Sequence, residues 1–178
     1  MKVRILNECG YEEALKGLSL SYNVDEFKKI EKVAVKLSQK DGGHNKFLES
    51  IVLWISIDAP RYWWSQFDTY RVGVTKQSES TMHTILKREL TDVDFEVPIN
   101  SGVMNVLNTN IRTKDFDEVK NHLPESFLQE RIVCTNYKVL RNIIFQRKYH
   151  KLKQWVHFIN CIYEQVNYTK LLPKIGEI

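Results

Sequence analysis

The longest apolar run in the chain is Ile51-Val-Leu-Trp-Ile-Ser-Ile57, and its shortness limits the fold more than any other feature. A bilayer needs about 20 consecutive apolar residues, so no membrane span is expected. The β-branched and aromatic content of the run reads instead as a strand. Other strand signals are few and scattered: 2–7, where Val3 and Ile5 alternate with Lys2 and Arg4, then 69–75 and 132–134. Longer segments at helical spacing separate them. Ala14, Leu15 and Leu18 mark one helix over 11–20. Phe27, Ile30, Val33, Ala34 and Leu37 mark a second, capped by Asp25 and stopped at Asp41-Gly42-Gly43. A short helix is expected over 44–49, and Pro60 opens a turn over 61–66. A helical piece follows at 85–90, with short helices through 114–120. Thr135 or Asn136 caps a strong helix to Arg147, and a last helix spans 150–168. Helices clustered around a few separated strands predict an α+β domain, not a repeating βαβ winding.

The 178 residues suit one domain over 1–178, which can bury roughly two-thirds of its unfolded surface without staples. Twenty-six Lys and Arg against 22 Asp and Glu give a net charge of +4, too mild to name a partner. Only 141–153 concentrates it, with Arg141, Arg147, Lys148, Lys151 and Lys153 beside His150 and no acid. That stretch is either a solvated helix face or a phosphate or nucleic-acid surface. Cys9, Cys134 and Cys161 form no Cys-x-x-Cys pair, so no zinc site is expected and the thiols read as reduced. The opening residues show no small-residue cleavage site, and a cytoplasmic location is expected.

Three segments could carry chemistry. From Thr75 to Thr84 the only apolar side chain is Met82, as expected for a polar ligand site or a solvated loop. In the helix from Asn136 to Arg147, eleven residues make close to three turns, so both ends point the same way beside the stripe of Val139, Leu140, Ile143 and Ile144. A cation there needs a partner, either an internal carboxylate or a ligand anion. In Asp41-Gly-Gly-His44-Asn-Lys-Phe-Leu-Glu49, two glycines before a His make a binding corner or, more simply, a helix cap.

Taken in order, these pieces resemble the flavin-dependent thymidylate synthases across nearly the whole chain. The family signature Arg-His-Arg-x-x-Ser-x-Asn-Glu-x-Ser-x-Arg, with a Gln three positions before it, is matched by Gln66, Thr69-Tyr70-Arg71 and Thr75-x-Gln77-Ser78-x-Ser80-x-Met82 after one inserted residue. His44-Asn-Lys-Phe-Leu-Glu49-Ser50 resembles His-x-Ser-Pro-Phe-Glu-His. Leu123-Pro124, then Thr135-Asn136 and the helix to Arg147, follow the family's Leu-Pro, Asn-x-Arg-x-Leu and Arg order, and Gln154-Trp155 resembles the start of Gln-Trp-Glu-Ile-Arg.

The resemblance implies an α+β fold with a twisted, mostly antiparallel sheet and packed helices. It implies Gln66, Ser80 and Arg147 as contacts of a pyrimidine nucleotide, and Arg71, His44, Ser50 and Tyr70 as contacts of FAD. NADPH and methylenetetrahydrofolate are implied for an active enzyme, and no catalytic side chain is assigned, because the flavin carries the hydride. A homotetramer is also implied, with Trp63 and Trp64 read as exposed aromatics suited to an interface. The chain departs from the signature at three charged positions, where Thr69, Tyr70 and Met82 stand for Arg, His and Arg. Those losses keep open a nucleotide-binding protein without redox activity, with nucleic-acid binding a third reading.

Overall fold

A computed structural model describes residues 1–23 and 26–174. Four strands, β1 (Lys2–Cys9), β2 (Val52–Pro60), β3 (Thr75–Ser78) and β4 (Leu128–Asn136), form one antiparallel sheet in the order β1-β2-β4-β3. The helices are α1 (Tyr11–Tyr22), α2 (Phe27–Ser38), α3 (Arg61–Phe67), α4 (Thr81–Thr84), α5 (Ser101–Arg112), α6 (Phe116–His122), α7 (Tyr137–Arg147) and α8 (Lys153–Gln165), with a 3-10 segment at Gly42–Ser50. The fold is α+β, as the scattered strand signals require. None of the helices among the described residues is long and apolar enough to cross a membrane.

The chain divides into two compact units. Unit 1 holds Met1–Lys2, Ile57–Thr69 and Gln77–Ile132; unit 2 holds Val3–Ser56, Tyr70–Lys76 and Val133–Ile178. The core of unit 1 gathers Ile85, Leu90, Phe95, Leu107, Ile111, Val119, Leu123 and Phe127. Its α3 buries Trp63 and Trp64 at 0% and 1% exposure, with Trp63 stacked on Phe67 at 5.0 Å. Trp64 donates its indole N–H to the Gln129 carbonyl at 2.8 Å. These tryptophans are core, which corrects their reading as exposed interface residues.

In unit 2, α7 and α8 bury Leu140, Ile143, Ile144, Trp155, Phe158 and Ile162, the stripe that helical spacing sets on one face. Asn136 caps α7, its Oδ1 accepting the Val139 N–H at 3.0 Å. Gly10, at φ +88°, opens α1 where a Cβ would stand 2.2 Å from the Ser50 carbonyl oxygen, so only glycine lets the two backbones meet.

The differences from expectation are local. Residues 69–75 are not a strand: they turn at Val72-Gly73, and β3 starts only at Thr75. Gly73 at φ +70° breaks any extended run there. The helical turn expected at 85–90 lies instead at Thr81–Thr84, and α5 is longer than anything expected between Leu90 and Lys114. Asp25, the expected cap of α2, lies outside the described residues, and that helix begins at Phe27 as read.

Candidate functional site

The first turns of α7 supply one wall of a cavity of about 400 Å³ in unit 2. Asn136, Lys138, Val139, Arg141 and Asn142 face Asp41, Gly42, Asn45 and Glu49 of the 3-10 segment and its leading turn, with Val72 and Gly73 closing the rim. The rim is close because Gly73 has no side chain: a Cβ would lie 3.0 Å from both Asn136 Nδ2 and Val139 Cγ2. Thr135 Oγ1 fixes that turn by donating to the Gly73 carbonyl at 3.1 Å.

Both cations of this cavity are paired. Lys138 Nζ meets Glu49 Oε1 at 2.7 Å, and Arg141 Nη1 meets Asp41 Oδ1 at 2.8 Å. Arg141 also donates to the Gln39 carbonyl at 3.2 Å and lies 4.6 Å above the Phe145 ring. It is only 7% exposed, which corrects its place on a solvated basic face. Two buried polar atoms of the cavity lining, Arg141 Nε and Asn45 Oδ1, have no hydrogen-bond partner among the described residues. Asp41, expected as a cap, makes no capping bond with its side chain, which reaches Arg141 instead.

At the far end of α7, Arg147 and Tyr70 come together. Arg147 Nε donates to the Tyr70 hydroxyl at 2.8 Å, and that hydroxyl donates to Gln146 Oε1 at 3.0 Å. The guanidinium lies 4.8 Å from the Trp155 ring and 5.6 Å from the Tyr70 ring, a cation held by aromatic faces. Burial, and after it the charges of Arg147 and Lys151, pushes the neighbouring His150 imidazole below its ordinary pKa.

The other expected contacts lie elsewhere. His44 and Ser50 are exposed and line a separate groove of about 480 Å³ with Gly17 and Ser21 of α1. Arg71 is exposed just before the Val72-Gly73 turn. In unit 1, Gln66 is half-buried near the end of α3, its carbonyl accepting from the Thr69 N–H and hydroxyl. Ser80 is exposed at the start of α4, its carbonyl accepting from Thr84 Oγ1 at 3.0 Å. Arg141 was expected only as part of the basic stretch 141–153 and Asn45 only within the segment 41–49, and neither was singled out, nor was Asn142; Lys138, aligned with the Arg of Asn-x-Arg, could have been found.

Unit 1 also has a larger cleft, about 550 Å³, whose lining includes Asp58, Glu79 and Glu130. Asp58 is held above the ordinary carboxyl range, mainly by burial and also by Glu130 and Glu79, while Lys2 and the N-terminus oppose this. Arg88 in its wall is committed to Asp94, Nη1 to Oδ2 at 2.8 Å. A cleft with this excess of carboxylates has the wrong sign for a nucleotide phosphate, so size does not make it the better candidate.

No family model matches the chain, and no curated protein matches it. Solved structures do. The structure of flavin-dependent thymidylate synthase ThyX from Helicobacter pylori, complexed with FAD and dUMP, covers 97% of this chain and 98% of its own, at TM-score 0.80 and 15% identity. A second structure of Helicobacter pylori ThyX with FAD and dUMP covers 94% of each chain at TM-score 0.77 and 15% identity. The fold is that of ThyX. The α+β architecture implied by the motif order therefore stands over 97% of the chain.

The α7 cavity combines apolar, amide and charged side chains. Val72 and Val139 offer apolar surface, Asn136 and Asn142 offer amides, and Lys138 and Arg141 bring cations that here are paired with Glu49 and Asp41. The two buried unpartnered atoms mark the lining as one whose polar groups are not all satisfied from within.

Proposed function

We propose that this chain is a ThyX-type protein that binds FAD and a pyrimidine deoxynucleotide, and that its reaction is the reductive methylation of deoxyuridylate to thymidylate. The observation that carries this reading is the fold shared, over 97% of this chain, with a protein complexed with FAD and dUMP. Asn136, Lys138 and Asn142 would hold the flavin in the α7 cavity, with Arg71, His44, Ser50 and Tyr70 as further flavin contacts on the sequence resemblance. Gln66, Ser80 and Arg147 are the nucleotide contacts on the same ground. When bound and reduced by NADPH, the flavin supplies the hydride and relays the one-carbon unit of methylenetetrahydrofolate. The side chains of this protein position the nucleotide and hold charge near it; Arg147, fixed by Tyr70 and Trp155, is the cation best preorganised for that task.

A second reading keeps the ligands and drops the turnover. It is favoured by Tyr70, which stands where the family signature has His and whose hydroxyl is already engaged by Arg147 and Gln146. Nucleic-acid binding loses ground because Arg141 is buried. Residues 1–178 act as one functional domain in a homotetramer in either reading. Thymidylate formation from deoxyuridylate with FAD, NADPH and methylenetetrahydrofolate tests the first reading. Nucleotide binding without product leaves the second.

A further inference from the structure

Arg141 is an unusual residue to bury. It is 7% exposed, its Nε has no acceptor among the described residues, and its one carboxylate partner is Asp41. That partner is loose: the Asp41 side chain is 87% exposed and makes no other hydrogen bond among the described residues. A buried guanidinium needs an anion, yet the anion it has is held by one contact at a solvent-facing turn. The turn itself, Asp41-Gly42 with Gly42 at φ +70°, belongs to the cavity lining, as do Lys138 and Glu49, the second pair of the same kind.

We propose that Arg141 is the receptor of a phosphate subsite in the α7 cavity, and that Asp41 is a built-in stand-in for the ligand's phosphate. Binding exchanges one anion for another: the ligand phosphate takes the Arg141 Nη1 that Asp41 leaves while Nη2 stays on the Gln39 carbonyl, and the Asp41 carboxylate moves out into water, where most of its surface already lies. The affinity for a phosphate-bearing ligand is therefore set below its intrinsic value by an internal competitor. This rests on reading the cavity as the cofactor pocket, and it adds the ligand group recognised and the device that regulates its entry. The recognised chemistry is a phosphate ester, which a flavin nucleotide or deoxyuridylate could supply.

The test compares wild type, Asp41→Asn and Arg141→Gln in calorimetric titrations with inorganic pyrophosphate, FMN, riboflavin and deoxyuridylate. Removing the competing charge should tighten pyrophosphate and FMN binding about fivefold, while riboflavin, which lacks phosphate, is unchanged. Arg141→Gln should abolish the preference for FMN over riboflavin. A response of deoxyuridylate in place of FMN would assign the subsite to the nucleotide. Thermal melting gives an independent readout that survives a poorly folded Arg141 variant: Asp41→Asn should melt lower than wild type without phosphate, and saturating pyrophosphate should restore it. Unchanged or weaker phosphate binding by Asp41→Asn overturns the proposal, as does an absence of phosphate binding in both proteins. If wild type binds flavin but Asp41→Asn changes nothing, this inference fails and the functional reading stands. If pyrophosphate responds but no flavin binds, the reverse holds.

Discussion

Asp58 carries its charge against its surroundings. The bonds Arg61 N to Phe127 O and Tyr137 N to Ile51 O fix one antiparallel register for β2 and β4, and that register sets Asp58 opposite Glu130. Burial is the main cause that holds the Asp58 pKa up, and the like charge of Glu130 opposite adds to it. A raised carboxyl pKa means that the folded chain binds the proton more tightly than the unfolded one. Stability from this group is then fully present below the unfolded value, about 3.9, and is lost as pH rises through the folded value. Asp58→Asn should therefore stabilise the protein by about 0.5 kcal/mol at pH 7, in urea unfolding, and by nothing near pH 3. A gain of equal size at both pH values would refute the electrostatic cause. Arg147→Ala should weaken deoxyuridylate binding by about 2 kcal/mol in calorimetric titration, as expected for a charge-assisted contact. Equal affinities would leave Arg147 as a residue that serves only the packing of Tyr70 and Trp155.

Among the elements, α7 is the most legible from sequence. Its cap, its buried stripe and its end at Arg147 were all readable, because Asn136 and the spacing of Leu140, Ile143 and Ile144 agree with each other. Asn136→Ala should cost about 1 kcal/mol by chemical denaturation. Gly73→Ala should cost about 1–2 kcal/mol, since φ +70° is unfavourable for any L side chain and the added Cβ meets Asn136 and Val139. Where reading failed, tertiary contacts had overridden local signals. Residues 69–75 look β-branched and polar, but the chain must turn at Gly73 to reach the start of α7. Helix α5 is rich in Asn and Val, poor helix formers, and folds because Leu107 and Ile111 enter the core of unit 1. Arg141 could not be told from a solvated basic residue, because its partner Asp41 is a hundred positions away in sequence. The cavity was half legible: Asn136 and Lys138 follow the motif order and Asp41 and Asn45 lie in the segment 41–49, but Asn45 falls at an unspecified position of its motif and Arg141 in none.

At the scale of the molecule, fold and function part company in the evidence they need. Motif order, each piece weak in itself, was enough to anticipate the fold, because five short matches in sequence order constrain a topology strongly. Activity depends on a few charges, and on the sequence resemblance three charged positions of the signature are taken by Thr69, Tyr70 and Met82. Burial of Trp63 and Trp64 also removes the aromatic argument for a tetramer, leaving the family resemblance to support it. A tetramer is still the expected assembly, and light scattering at micromolar concentration checks it; a monomer would count against a family-type site. The central claim, that this fold still serves a flavin, is tested most directly by absorbance and fluorescence titration of the purified protein with FAD, with and without deoxyuridylate. The account predicts a saturable change in the flavin spectrum, quenched emission, and a further change on adding the nucleotide. An FAD spectrum that stays that of the free cofactor at every protein concentration, in the presence of deoxyuridylate, would contradict it.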